Sequence, residues 1–198
     1  MSILAVAGAS GVGKSTFMRA FLKIVPASTL LTSTTTRGPR NDDIREGDAR
    51  EYEYVNREKF KMLADDGEFL DTFGEEYKTR YGTRAALFEE ALMSERVYLA
   101  ALFVPGVELF FDEAFRLREE ERMHGAFLDL KSEEERLRRL DQGGGRDAVR
   151  YEPELEKWRN KISKTDVPFL LLDTTSDLPE TLVHKAIEYF GFGAKQQA

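Results

Sequence analysis

Ile3-Leu4-Ala5-Val6-Ala7 runs without a break into Gly8-Ala9-Ser10-Gly11-Val12-Gly13-Lys14-Ser15-Thr16. The first five residues form an apolar run of strand length, and the next eight fit G-x-x-x-x-G-K-[ST], the loop that cradles phosphates between a strand and a helix. Glycines at positions 8, 11 and 13 let successive backbone N–H groups turn toward an anion, and the start of the following helix adds partial positive charge. Lys14 is expected to reach the β- and γ-phosphates and the Ser15 hydroxyl to ligate magnesium, with Gly8 through Thr16 as the binding segment for a nucleoside triphosphate. The motif alone does not separate a kinase from a hydrolase or a switch.

Outward from this loop, apolar runs alternate with amphipathic stretches, the pattern of a parallel sheet covered on both faces. The expected architecture is α/β: a P-loop NTPase core with a five-stranded parallel sheet and helices on both sides. Strands are expected at Ile3 to Ala7, Leu30 to Ser33, Val97 to Phe103, Ala126 to Leu130 and Phe169 to Asp173, the last as a strand buried on both faces. Helices are expected at Lys14 to Ile24, Val107 to Arg122, Glu133 to Leu140, Pro153 to Lys164 and Leu178 to Phe190. Residues 34–84 interrupt the alternation with a polar insert rich in Arg, Tyr, Asp and Glu. The implied division is a core of residues 1–33 and 85–198 with a small acceptor-binding subdomain at 34–84. Asp141-Gln142-Gly143-Gly144-Gly145-Arg146-Asp147 reads as a hinge inside a lid at about residues 136–152, and the tail from Gly193 as frayed.

The 198 residues suffice for one sizeable core. A net charge of −7 disfavours nucleic acid as the first partner. Zero cysteines exclude disulfides and thiolate metal sites. His124 and His184 lack spaced partner ligands and are expected at surface or boundary positions. No apolar run approaches bilayer length and the first residues lack a basic leader, so the default expectation is a cytoplasmic protein, monomer or homodimer, without a membrane partner.

The insert carries the second constellation. Arg37 and Arg40, three residues apart in Ser33-Thr34-Thr35-Thr36-Arg37-Gly38-Pro39-Arg40, offer two planar forks suited to a phosphate dianion. Tyr52 and Tyr81 can complete its hydrogen bonds, and Asp71 can accept from a guanine edge. With the phosphate loop, the S-x-T-T-R-x-P-R and G-x-F-L-[ED]…Y-G-[ST] segments resemble guanylate kinases from Met1 to about Val107. The resemblance implies transfer of a phosphoryl group from ATP, with Mg2+, to a nucleoside monophosphate, GMP or dGMP first. It implies that Arg37, Arg40, Tyr52 and Tyr81 hold the acceptor phosphate, and that Ser33, Asp71 and Thr83 face the base.

Three departures lie near the base and the metal. The family's Asp-x-Asp is replaced by Ala101 and Phe103, its pocket glutamate is shortened to Asp71, and Asn41 to Asp48 lengthen the acceptor loop. In the lid, Arg139 keeps the first family arginine, Gly143 replaces the second, and Arg146 and Arg150 could take over in neutralising the transferring phosphoryl group. The basic run Arg136 to Arg150 also reads as a solvated helix face paired with Glu133 to Glu135. Trp158, spaced with Leu155 and Ile162, reads as packing. Another kinase of this fold, acting on a different deoxynucleotide, a ribose bisphosphate or a hydroxymethylated base in DNA, stays open, as does a non-catalytic guanylate-kinase-like binding module. The missing N-K-x-D base motif disfavours a GTPase switch.

Overall fold

A computed structural model describes residues 2–41, 43–47, 49–74, 79–142 and 155–192. In chain order the elements are β1 (Ile3–Ala7), α1 (Lys14–Ile24), β2 (Ser28–Leu30), β3 (Ser33–Thr35), β4 (Arg45–Glu46), β5 (Ala49–Arg50), β6 (Tyr52–Tyr54), α2 (Arg57–Asp65), β7 (Phe69–Phe73), β8 (Tyr81–Arg84), α3 (Ala85–Met93), β9 (Val97–Ala101), α4 (Val104–Arg116), β10 (Met123–Asp129), α5 (Glu133–Gln142), α6 (Leu155–Ile162), β11 (Phe169–Asp173) and α7 (Pro179–Phe190). Five parallel strands make the main sheet in the order β11-β10-β1-β9-β2.

Every residue of β1 is buried, as a central strand covered on both faces requires. Helix α1 turns Phe17, Met18, Ala20 and Phe21 into the core, and Phe21 meets Phe192, just beyond α7, edge to face at 5.8 Å. Pro179 opens α7 and Gly191 closes it in the left-handed conformation. His124 packs against Phe190 and Phe192, where burial lowers its pKa to about 4. Among the described residues no helix is long and apolar enough to cross a membrane.

Several expected elements are corrected. The strand expected at Leu30 to Ser33 is two strands in two sheets: Leu30 ends β2 beside β9, and Ser33 starts β3 beside β6. Between them the Thr32 hydroxyl bonds the Arg50 carbonyl at 2.8 Å, fixing the crossing. β11 lies at the sheet's edge with Leu171 64% exposed, so its apolar run is not buried on both faces. α4 begins at Val104, because Pro105 suits a first helical turn, and Arg118 leaves the helix at φ 61°. β9 accordingly stops at Ala101. β10 starts three residues early, at Met123, and α5 continues through Asp141 and Gln142, which the hinge reading had placed in a turn.

Residues 33–84 build a second sheet in the order β6-β3-β8-β7, with the β4–β5 hairpin and α2 beside it. α2 and α3 were not anticipated from sequence. Asn56 caps α2 by accepting from the Lys59 N–H at 2.8 Å, and Phe60 and Leu63 form its buried face. That cap and spacing were a usable signal, masked by the insert's overall polarity.

Candidate active site

The loop after β1 follows the geometry its glycines permit. Gly8 has φ 143°, and a Cβ there would stand 2.5 Å from the Leu128 carbonyl oxygen of β10. Gly13, at φ 105°, precedes α1 with no side-chain cap, leaving first-turn N–H groups to bind an anion. Lys14 Nζ donates to the carbonyls of Gly8 at 2.7 Å and Ala9 at 2.9 Å, which bends the side chain over its own loop. From outside, α5 braces the loop. Arg136, fully buried, pairs with Glu133 and donates from Nη1 to the Ser10 carbonyl at 3.1 Å. Arg136 is therefore no part of a solvated face, although Arg138 and Arg139 do pair with Glu135 as that reading expected.

A cleft of about 520 Å³ is lined by Ser10, Gly11, Val12, Gly13, Lys14, Ser15 and Thr16 together with Ser33, Arg37, Arg40, Tyr52, Asp71, Tyr81, Thr83 and Arg139. Gly8 and Ala9 contribute their carbonyls to Lys14. Arg139 donates to Glu135 Oε1 at 2.9 Å and to the Thr174 carbonyl at 3.0 Å. Arg146 and Arg150 lie outside the described residues.

In the arginine–tyrosine cluster β3, β6 and β8 bring the side chains together, with Ser33 in register with Tyr52 and Thr35 with Tyr81. The Arg37 guanidinium lies 4.6 Å above the Tyr52 ring, and the Tyr52 and Tyr81 rings are 6.0 Å apart. Asp43, which sequence reasoning missed, holds Arg37 and also accepts from the Tyr54 hydroxyl at 2.5 Å and the Arg40 backbone N–H at 2.6 Å. Burial is the largest single influence and works against both charges, but the Arg37–Asp43 bonds, joined at Asp43 by those from Tyr54 and the Arg40 backbone and at Arg37 by the nearby tyrosines, together outweigh it. The guanidinium pKa is raised and the carboxyl pKa lowered. Glu51, also missed, accepts from the Ile44 N–H at 3.0 Å, and burial raises its pKa. Burial likewise lifts the Tyr52 phenol well above its ordinary value.

Toward β7 and α4 the cleft changes character. Asp71 is 5% exposed, and its Oδ1 accepts from the Thr83 N–H at 2.6 Å. Burial raises its pKa to about 6, partly offset by the bonds from Thr83. Ala101 and Phe103 form the adjoining wall with Phe73. Behind them Trp158 is packed as expected, 8% exposed and stacked on Phe103 with ring centroids 5.6 Å apart. Thr174 and Asp177, from the turn after β11, and Pro179, at the start of α7, also line the cleft with Arg139. Sequence spacing carried no signal for them.

Among the described residues no group of three or more histidines and carboxylates is placed to hold a metal. Ser15, expected from the sequence to meet magnesium, lines the cleft.

The family described as guanylate kinase matches residues 1–184. A guanylate kinase of Thiobacillus denitrificans is 38% identical over 103 residues, 52% of this chain and 47% of that protein. One of Rubrobacter xylanophilus is 39% identical over 92 residues, 46% of each. The chain thus spans about half the length of the curated relatives it matches. The crystal structure of guanylate kinase from Anaplasma phagocytophilum superposes with a TM-score of 0.65 at 21% identity, covering 100% of this chain and 87% of that one, which is a likeness of fold. With 184 of its residues inside one family's match and the five-stranded core of that family's fold, this chain belongs to the guanylate kinase family.

Proposed function

We propose that the protein is a nucleoside monophosphate kinase that moves the γ-phosphoryl of ATP onto GMP or dGMP. One observation carries this reading: a single cleft is lined at once by the phosphate loop and by the arginine–tyrosine cluster of the insert. Donor and acceptor then face each other in one cavity, and orientation supplies much of the rate. An acceptor phosphate oxygen is already nucleophilic, so no general base is assigned.

In this reading Lys14 leaves its loop carbonyls and places charge on the β- and γ-phosphates, while the N–H groups of Gly11 to Ser15 wrap the donor. Arg40 and Arg37, with Tyr52 and Tyr81, hold the acceptor phosphate, and Ser33, Asp71 and Thr83 take the base. Residues 34–84 act as the acceptor-binding subdomain. Arg139, with Arg146 and Arg150, belongs to the lid at about residues 136–152, whose closure excludes water and favours transfer over hydrolysis. Magnesium fits this donor set, because Mg2+ is commonly held by few protein oxygens together with nucleotide phosphates, and Ser15 supplies such an oxygen. When bound it screens the charge of the phosphates. A cytoplasmic location and a monomeric or homodimeric state belong to the same proposal.

A coupled ADP-release assay across the ribo- and deoxynucleoside monophosphates tests the reading. GMP or dGMP should give the highest kcat/KM. ADP release that no monophosphate stimulates would overturn it.

A further inference from the structure

The cleft wall beside Asp71 is aromatic. Phe103 precedes the first turn of α4 and Phe73 ends β7; both are half-buried and both open on the cleft. Their rings meet edge to face, 6.5 Å apart at 66°. Trp158 of α6 lies against Phe103 at 22° between planes, which fixes the Phe103 ring from behind. A Cβ placed on Gly106 would touch the Phe73 ring at 3.2 Å and lie 3.6 Å from Asp71 Oδ2. The ring and the carboxylate therefore converge on one spot at the start of α4. One oxygen of that carboxylate is already bonded to Thr83, and Ala101 contributes only a methyl group.

We propose that Phe73 and Phe103, the latter backed by Trp158, form an aromatic platform against which the acceptor's purine ring packs, face to one ring and edge to the other, and that these ring contacts supply more of the base affinity than recognition of its polar edge. The proposal rests on the acceptor-site reading above. The substrate class follows from its chemistry. Every purine offers the same π-face whatever its exocyclic groups, whereas hydrogen-bond readout needs the correct donors and acceptors. A wall that has rings where acids could stand selects purine nucleoside monophosphates as a class and discriminates weakly within it, leaving Asp71 to favour guanine.

Calorimetry on the full chain tests this with four ligands: GMP, AMP, purine riboside 5′-monophosphate, which lacks exocyclic groups, and ribose 5-phosphate, which lacks a base. Trp158 is the sole tryptophan, so its fluorescence locates the ligand independently of turnover. The three purine ligands should bind within about tenfold of one another, and each should bind at least about fivefold more tightly than ribose 5-phosphate and change the Trp158 emission, by the usual strength of base–aromatic stacking. Phe103→Leu and Phe73→Leu, which keep apolar volume so that folding survives, should each weaken all three purine ligands about 5- to 100-fold and leave ribose 5-phosphate unchanged. Purine riboside 5′-monophosphate binding no better than ribose 5-phosphate while GMP binds tightly would overturn the platform, as would GMP affinity untouched by either leucine variant. Failure of GMP itself to bind would overturn the acceptor-site reading and the platform with it.

Discussion

Asp43 closes its carboxylate on the fork of Arg37, Oδ1 2.5 Å from Nη2 and Oδ2 3.0 Å from Nη1, with both side chains less than a tenth exposed. The carboxylate collects its remaining bonds from Tyr54 and the Arg40 backbone, so it occupies the Arg37 fork that the proposed acceptor phosphate would use. Leaving a buried charge without its partner costs about 3–5 kcal/mol. Asp43→Asn should therefore lower the melting temperature of the ligand-free protein, and an added phosphate anion, supplying the missing counter-charge, should raise it more in the variant than in the wild type. Thermal melts with and without inorganic phosphate decide the matter, and equal shifts would mean the anion does not meet Arg37.

Asp71 gives a pH dependence with a definite sign. Its folded pKa of about 6 exceeds its ordinary 3.8, so the folded state binds a proton that the unfolded state releases. The Asp71 contribution to stability is most favourable below about pH 4 and declines through about pH 6, by on the order of 3 kcal/mol in total. Asp71→Asn should remove that decline, seen as a gap between variant and wild-type unfolding free energies that widens from pH 4 to pH 7. In the proposed acceptor site the ionised carboxylate would accept from guanine, and the protonated one would no longer do so fully. The ratio of kcat/KM for GMP over AMP should therefore rise between pH 5 and pH 7.5, and a flat ratio would place Asp71 away from the base.

Arg136 anchors the phosphate loop through the Ser10 carbonyl. Arg136→Met should weaken ATP binding, since a hydrogen bond from a charged donor is worth about 1.5–3 kcal/mol, and leave acceptor binding unchanged. Calorimetry with each ligand separately checks this. Equal losses for both would make Arg136 a general packing residue.

What the sequence made legible was local. The β1–loop–α1 unit has the bounds its motif predicted, because apolar periodicity, glycines and Lys14 all act within a few residues. β11 also begins and ends where expected, yet its exposure was misread, because a strand's place at the sheet edge depends on neighbours far along the chain. The same limit hid Arg136, whose partner Ser10 is 126 residues away, so its charge read as solvated. In the sequence Asp43 is one of the residues that lengthen the acceptor loop. Two arginines near one anion site needed a counter-charge when empty, and that argument, not a motif, was the route to it. Phe103 was visible as a missing acid, but its role as a wall required Phe73 and Trp158 beside it in space.

Lys14, half-buried, donates to two carbonyls of its own loop. Lys14→Ala should keep its fold, judged by circular dichroism, and lose roughly a hundred- to a thousandfold in kcat, the usual effect of removing one charge-stabilising donor. Turnover within about tenfold of wild type would remove Lys14 from the chemistry.

Transfer to a monophosphate within one cleft is decided by the fate of the γ-phosphoryl group. ATP labelled at the γ-phosphorus is incubated with Mg2+, GMP and the protein, and the products are separated. The label should appear in the β-phosphate of GDP, in amounts matching the ADP formed. Label recovered as inorganic phosphate, with no labelled GDP, would contradict the account.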